Sequence, residues 1–124
     1  MAARTMNIMV VDDEPFIREV MYDFLCMHGY TVTSFGSGED AVSGIHSRVP
    51  DMVLLDIWMP GMSGIETLEK IRKENKEVGV VMLSAFGDDE TVGDAMDMGA
   101  DFYLQKPIEF KKLLKILENW RMKS

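Results

Sequence analysis

The most constraining feature of this chain is an alternation. Short, solid apolar runs at residues 8–11, 30–35, 52–55, 78–83 and 102–104 are separated by longer stretches with helical periodicity. The first, third and fourth runs do not alternate polar with apolar residues, as suits strands covered on both faces. After the first run, Ile17, Val20, Met21, Phe24 and Leu25 share one helical face, and that helix stops at His28-Gly29. Ser37-Gly38-Glu39-Asp40 opens a second helix, with Ala41, Val42 and Ile45 apolar and a stop near Pro50. Ser63 opens a third, with Ile65, Leu68 and Ile71 inward. A fourth, near residues 88–98, is weak: Val92, Ala95 and Met96 are apolar, but Gly93 interrupts them at about 1 kcal/mol relative to alanine. The fifth places Phe110, Leu113, Leu114, Leu117 and Trp120 on one stripe, with Lys111, Lys112, Lys115 and Arg121 outside. The pattern predicts an α/β fold of (βα)5 type, a parallel five-stranded sheet between two layers of helices.

Right-handed crossovers leave few arrangements of five such units, and covering both faces requires the winding to reverse once. Strand order 2-1-3-4-5 does this, in a doubly wound, flavodoxin-like sheet. One domain over residues 1–124, with a core at about 7–121, accounts for the whole chain. Strands 1 and 3 become neighbours, and the crevice at their carboxyl ends is where such sheets bind ligands.

Asp12, Asp13 and Glu14 follow strand 1, and Asp56 follows strand 3; Ser84 ends strand 4, while Lys106-Pro107 ends strand 5. Singly, each has a plain explanation. Acids before Pro15 suit a helix N-terminus, Ser84 could cap the next helix, and Lys106 could be a solvated loop charge. Asp56 resists this, because Ile57-Trp58-Met59-Pro60 is no helix start for it to cap. Together on one rim they form a constellation. Carboxylates about 4 Å apart repel by about 4 kcal/mol at an effective dielectric near 20, so the cluster needs a cation or protons. Oxygen ligands without cysteine or a suitably placed histidine suit Mg2+, or Mn2+ as a substitute, rather than zinc. The first turn has no glycine-rich phosphate cradle, which weighs against a flavodoxin-type cofactor. The remaining chemistry is a carboxylate nucleophile that takes a phosphoryl group beside a divalent ion and a lysine.

These residues resemble the receiver domain of two-component response regulators, of CheY-like fold, over residues 8 to about 120. Asp12-Asp13 look like that family's metal-binding acids. Asp56-Ile57-Trp58-Met59-Pro60-Gly61-Met62-Ser63-Gly64 resembles its D-x-x-M-P-x-M-x-G phosphoacceptor run. Ser84-Ala85 matches the switch hydroxyl with its small neighbour, Lys106-Pro107 the paired lysine and proline, and Tyr103 the aromatic switch position. The resemblance implies that Asp56 accepts phosphoryl from a sensor histidine kinase, a histidine phosphotransfer protein or a small phosphodonor. Mg2+ would be held by Asp13, Asp56 and the backbone carbonyl of Trp58, with Asp12 acting through water. Lys106 and Ser84 would offset charge in the transition state, and a cis Lys106-Pro107 bond would aim the lysine inward. Ser84 would then move to the phosphoryl group and Tyr103 into the vacated space, so that the fourth helix, fifth strand and fifth helix re-present their face to a downstream target.

Trp58 and Phe86, each two residues beyond a site residue, read either as shields that slow hydrolysis of the acyl phosphate or as contact aromatics. Asp94 and Asp97 on the fourth helix, facing basic residues of the fifth, suggest a monomer or a phosphorylation-dependent homodimer. His28 and His46 complement helix C-termini, and Cys26 reads as a small core residue. Of the methionines, 9, 21, 52 and 82 read as core, 59 and 62 as motif loop, and 96 and 98 as lining the weak helix.

With 13 Lys+Arg against 21 Asp+Glu, the net charge of -8 argues against direct nucleic-acid or membrane binding. A single cysteine, no apolar run near the roughly 18 residues of a membrane span and no signal-peptide pattern suggest the cytoplasm. A phosphatase with an aspartyl-phosphate intermediate would need an acid two residues after its nucleophile, where Trp58 stands. A phosphorylation-independent scaffold would lack an acid or the lysine. A stand-alone receiver is favoured over the input domain of a longer DNA-binding regulator.

Overall fold

Strands β1 (Asn7–Val11), β2 (Thr31–Phe35), β3 (Met52–Asp56), β4 (Gly79–Ser84) and β5 (Phe102–Gln105) alternate with helices α1 (Pro15–Met27), α2 (Gly38–Ser47), α3 (Gly64–Glu74), α4 (Asp89–Asp97) and α5 (Phe110–Lys123). All pairings are parallel and the sheet order is β2-β1-β3-β4-β5, as the apolar runs predict. The computed structural model describes residues 5–85 and 87–123.

Side-chain alternation along each strand divides the core in two. Met9, Val11, Val53, Leu55, Val80 and Met82 point to one face, where Ala41 and Ile45 of α2, Leu68 and Ile71 of α3, and Val92 and Ala95 of α4 cover them. Ile8, Val10, Met52, Leu54, Val81 and Leu83 point to the other, against Met21 and Leu25 of α1 and Leu113 and Leu117 of α5. Every residue of β3 and β4 is buried, which is why these runs show no period-two pattern. Each fully buried aliphatic side chain contributes about 1.5–3 kcal/mol relative to its exposed state, so the central strands carry most of the stability. The edge strands are different: Thr31, Thr33 and Ser34 of β2 are exposed.

The helix starts follow their sequence signals. The Ser37 hydroxyl accepts the Asp40 N–H at 3.1 Å, and Ser63 forms a capping box with Glu66. Pro15 occupies the first turn of α1, and Gly29 takes φ +88° just past its end. Arg72, at the end of α3, donates to the carbonyls of Gly99, Asn75 and Val78 and pairs with Asp101 at 3.1 Å. It thereby fixes the far end of α4 to the rest of the helical layer.

Two expectations are corrected. Cys26 is exposed rather than core, because Met21, Phe24 and Leu25 take the inward stripe of α1 and Cys26 lies one residue, about 100°, past it. Met96 and Met98 are also exposed, since Val92 and Ala95 alone fill the short contact of α4 with the sheet. The other methionine readings hold: Met9, Met21, Met52 and Met82 are buried. His28 Nδ1 lies 2.9 Å from the Phe24 carbonyl, at the end of α1, whereas His46 bonds Glu74 across from α2 to α3.

Candidate functional site

The carboxyl ends of β1, β3, β4 and β5 place the strand-end residues side by side. Asp56 is the last residue of β3, in register with Leu83, which puts it next to Ser84 of β4; Ser84 is in turn paired with Gln105, immediately before Lys106. Asp12 directly follows β1, the neighbour of β3. The topology therefore converts residues dispersed over nearly a hundred positions into one rim.

Asp12 is completely buried. One of its oxygens accepts the Lys106 ammonium at 2.9 Å, and the other accepts the Glu14 N–H at 2.9 Å. Lys106 also lies 3.4 Å from Asp56 Oδ1, so one cation serves two carboxylates. Burial pushes the Asp56 carboxyl up to about 6, and the Asp12 charge pushes the same way; Lys106 and the Trp58 backbone N–H pull it down without prevailing. Burial works against the Lys106 ammonium too, but its bond to Asp12 and the charges of Asp56 and Asp12 outweigh it and hold its titration above the ordinary value. The site is thus short of positive charge.

Asp13 completes the cluster. Asp12, Asp13 and Asp56 each offer an oxygen, and these lie within 4.8 Å of one another. A compact all-carboxylate donor set with one deficient counter-charge fits a hard divalent cation. Asp12, Asp13 and Asp56 are therefore brought together, and Lys106 with them. The Lys106-Pro107 bond is cis.

The remaining predicted residues lie around this cluster. The Ser84 side chain is buried, and its hydroxyl donates to the Leu104 carbonyl at 3.5 Å. Tyr103 is 55% exposed; Tyr103, Lys106, Pro107, Glu109 and Lys112 line an open groove of about 550 Å³. Trp58 is 58% exposed, and its indole Nε1 donates to Asp88 Oδ1 at 3.0 Å. Phe86, its expected companion over the site, lies outside the described residues.

Gly64 closes the loop between β3 and α3, and its lack of a side chain has a steric reason. A Cβ there would sit 2.1 Å from the Asp56 carbonyl oxygen and 2.7 Å from Ile57 Cα, where α3 begins against the end of β3. Both clashes are with backbone, which cannot rotate away. Gly64→Ala should lower stability by about 2 kcal/mol in urea unfolding, with the β3–α3 loop displaced.

Two residues in the site escape sequence reasoning. Arg18 Nη1 donates to the Asp12 carbonyl at 2.7 Å and holds the β1–α1 turn from α1. Asp88 bridges the loops after β3 and β4. No local pattern in the sequence reveals the bond between Asp88 and a tryptophan thirty residues away.

The family model of the response regulator receiver domain matches residues 8–118. The "Probable C4-dicarboxylate response regulator DctR" of Bacillus subtilis is 36% identical over 123 residues, 98% of this chain and 54% of that protein. The nitrogen assimilation regulatory protein NtrX of Azorhizobium caulinodans is 36% identical over 114 residues, 90% of this chain and 25% of its own length. The chain therefore spans about half, or less, of the length of these relatives. Among solved structures, the receiver domain of NtrX from Brucella abortus superposes with a TM-score of 0.89 at 34% identity, covering 94% of this chain and 99% of that one. The chemotaxis protein CheY4 of Vibrio cholerae superposes with a TM-score of 0.87 at 27% identity, covering 94% and 98%.

Proposed function

This chain belongs to the response regulator receiver domain family, and from that premise we propose that it is a switch set by a phosphoryl group on Asp56. The domain serves signalling rather than metabolic turnover, and one receiver unit with its core at about 7–121 carries the activity. The observation that supports this reading best is the half-neutralised cluster of Asp12, Asp13, Asp56 and Lys106, with a buried hydroxyl at Ser84 beside it.

In the proposed reaction an oxygen of Asp56 attacks phosphorus. An O–P bond forms while the N–P bond of a phosphohistidine, or the O–P bond of a small acyl phosphate, breaks and the leaving group keeps the electron pair. Asp13, Asp56 and the Trp58 carbonyl would hold Mg2+, with Asp12 acting through water, and the ion would supply neutralisation of the developing negative charge. Lys106 is already oriented by Asp12 and balances charge on the equatorial oxygens as it develops. The Ser84 hydroxyl holds only a long bond to Leu104 in this resting arrangement, so it can be drawn to a phosphoryl oxygen at small cost. Its departure would make room for Tyr103, which is exposed in this arrangement, to turn inward.

The face that changes is built from α4, β5 and α5, where a downstream partner would dock; the donor is a sensor histidine kinase or a histidine phosphotransfer protein. No helix among the described residues is long and apolar enough to cross a membrane, and the proposed compartment is the cytoplasm. Direct nucleic-acid binding by this domain is not proposed, given its net charge of -8. Exposed Asp94 and Asp97 of α4 and exposed Lys111, Lys112 and Lys115 of α5 are complementary in charge. A second copy meeting this face after phosphorylation should appear as a dimer in sedimentation, and a persistent monomer at high concentration rejects it.

Incubation with acetyl phosphate should add the mass of one phosphoryl group to the intact chain in the presence of Mg2+ and none after chelation. Asp56→Asn should abolish the adduct. An adduct that survives this substitution would refute the assignment.

A further inference from the structure

Helices α2 and α3 begin at a serine whose side chain caps the first turn. Helix α4 begins at Asp88, one of the best capping residues, yet Asp88 makes no cap hydrogen bond. Its carboxylate is turned the other way. Oδ2 accepts the Ala85 N–H at 2.8 Å, one residue after Ser84, and Oδ1 accepts the Trp58 indole N–H at 3.0 Å, two residues after Asp56. One side chain thus ties together the loop that carries the acceptor and the loop that carries the switch hydroxyl, while the amides of its own helix go without it.

We infer that Asp88 is a positioning residue: in the resting protein it ties Trp58 to Ala85, and once released it caps α4. The inference rests on the proposed role of Asp56 and adds the element through which that site acts on the helix. A carboxylate spanning the two strand ends is repelled by any anion added at Asp56. The two states differ in hydrogen-bond partners rather than in their number, since the first-turn amides of α4 replace Trp58 and Ala85 as donors. The far end of α4 stays held through Arg72, which donates to the Gly99 carbonyl, so release acts at the site-proximal end. α4 itself offers little resistance, with Val92 and Ala95 its only buried side chains and Gly93 in its middle.

Removing the tie shifts the population toward the released state and raises the rate at which Asp56 accepts phosphoryl. Two full-chain variants weaken it from opposite ends: Asp88→Asn has one acceptor oxygen, so it can still cap α4 but cannot accept from both Trp58 and Ala85, and Trp58→Phe keeps the ring but takes away the N–H. With acetyl phosphate and Mg2+, each should form the adduct about fivefold faster than the parent, the factor that about 1 kcal/mol of net hydrogen-bond free energy gives. The double variant should be no faster than either alone, because both changes break the same contact. Without any phosphodonor, Asp88→Asn should also change the tryptophan fluorescence.

A cap at Asp88 without the tie predicts no acceleration from Asp88→Asn, which caps equally well, and no matching effect from Trp58→Phe. Adduct formation within twofold of the parent in both variants, or effects that multiply in the double variant, overturns the tie while leaving Asp56 as acceptor. No adduct in the parent chain overturns both.

Discussion

Lys106→Met should destabilise the protein by about 3–5 kcal/mol at pH 8, measured by urea unfolding, because it strands two buried carboxylates. Lys106 is the shared counter-ion, 2.9 Å from a completely buried Asp12 and 3.4 Å from Asp56. The lost attraction is the smaller part of the effect; the larger part is the desolvated charge left behind. The loss should therefore shrink as the pH falls through about 6, since protonation of Asp56 removes part of the unpaired charge. Lys106→Met combined with Asp12→Asn should recover much of the stability, an interaction that independent sites would not show. Additive losses in the double variant would mean that Lys106 stabilises the fold through its methylene packing instead.

Asp56→Asn should act in the opposite direction. The Asp56 carboxyl titrates at about 6 in the folded chain against an ordinary value of 3.8, with burial as the largest cause and the Asp12 charge next. Because the folded value is raised, the folded state holds a proton that the unfolded state has lost between these two values. Stability is then full below the unfolded value and falls as the pH rises through about 6. Asparagine removes the charge at every pH, so the variant should be more stable than the parent by about 2–3 kcal/mol at pH 8, in metal-free buffer. Below about pH 4 the two should be nearly equal, because the parent is then neutral at this position as well. Added Mg2+ should narrow the difference at pH 8 by stabilising only the parent. A difference that ignores both pH and Mg2+ would contradict the charge-deficient site. The residue that carries the proposed chemistry is thus also one that strains the resting fold, in keeping with sites whose function opposes stability.

The legibility of this fold in its sequence has a physical origin. β3 and β4 are buried on both faces, so residues 52–55 and 78–83 had to be continuous apolar runs, and few alternatives for them exist. Handedness of the crossovers then determined the order of the sheet, and the order brought Asp12, Asp13, Asp56, Ser84 and Lys106 to one rim. Capping serines announced α2 and α3 through local hydrogen bonds that depend only on neighbours. These parts of the structure follow from periodicity and short-range chemistry.

What was not legible depends on register between distant loops. Asp88 sits where a cap belongs and does something else, because Trp58 and the Ala85 amide reach it only when the ends of β3 and β4 are side by side. The four-partner role of Arg72 likewise requires α3, β4 and the turn before β5 to converge. Cys26 was misplaced for a subtler reason. Cysteine is small and commonly buried, but its position on α1 lies just past the inward stripe, and geometry prevails over residue type. Net charge, finally, conceals the arrangement that matters: Lys106 serves two acids within a domain whose overall charge is -8.

The central claim is that Asp56 is the atom-level acceptor. An aspartyl phosphate is an acyl phosphate, which borohydride reduces to the corresponding alcohol, homoserine, while phosphoserine, phosphohistidine and free aspartate are left unreduced. The chain incubated with acetyl phosphate and Mg2+, then reduced and digested, should yield a peptide with homoserine at position 56 and nowhere else, and none when Mg2+ is withheld. Homoserine at position 12 or 13, or its absence from a chain that carries the phosphoryl mass, would contradict the account.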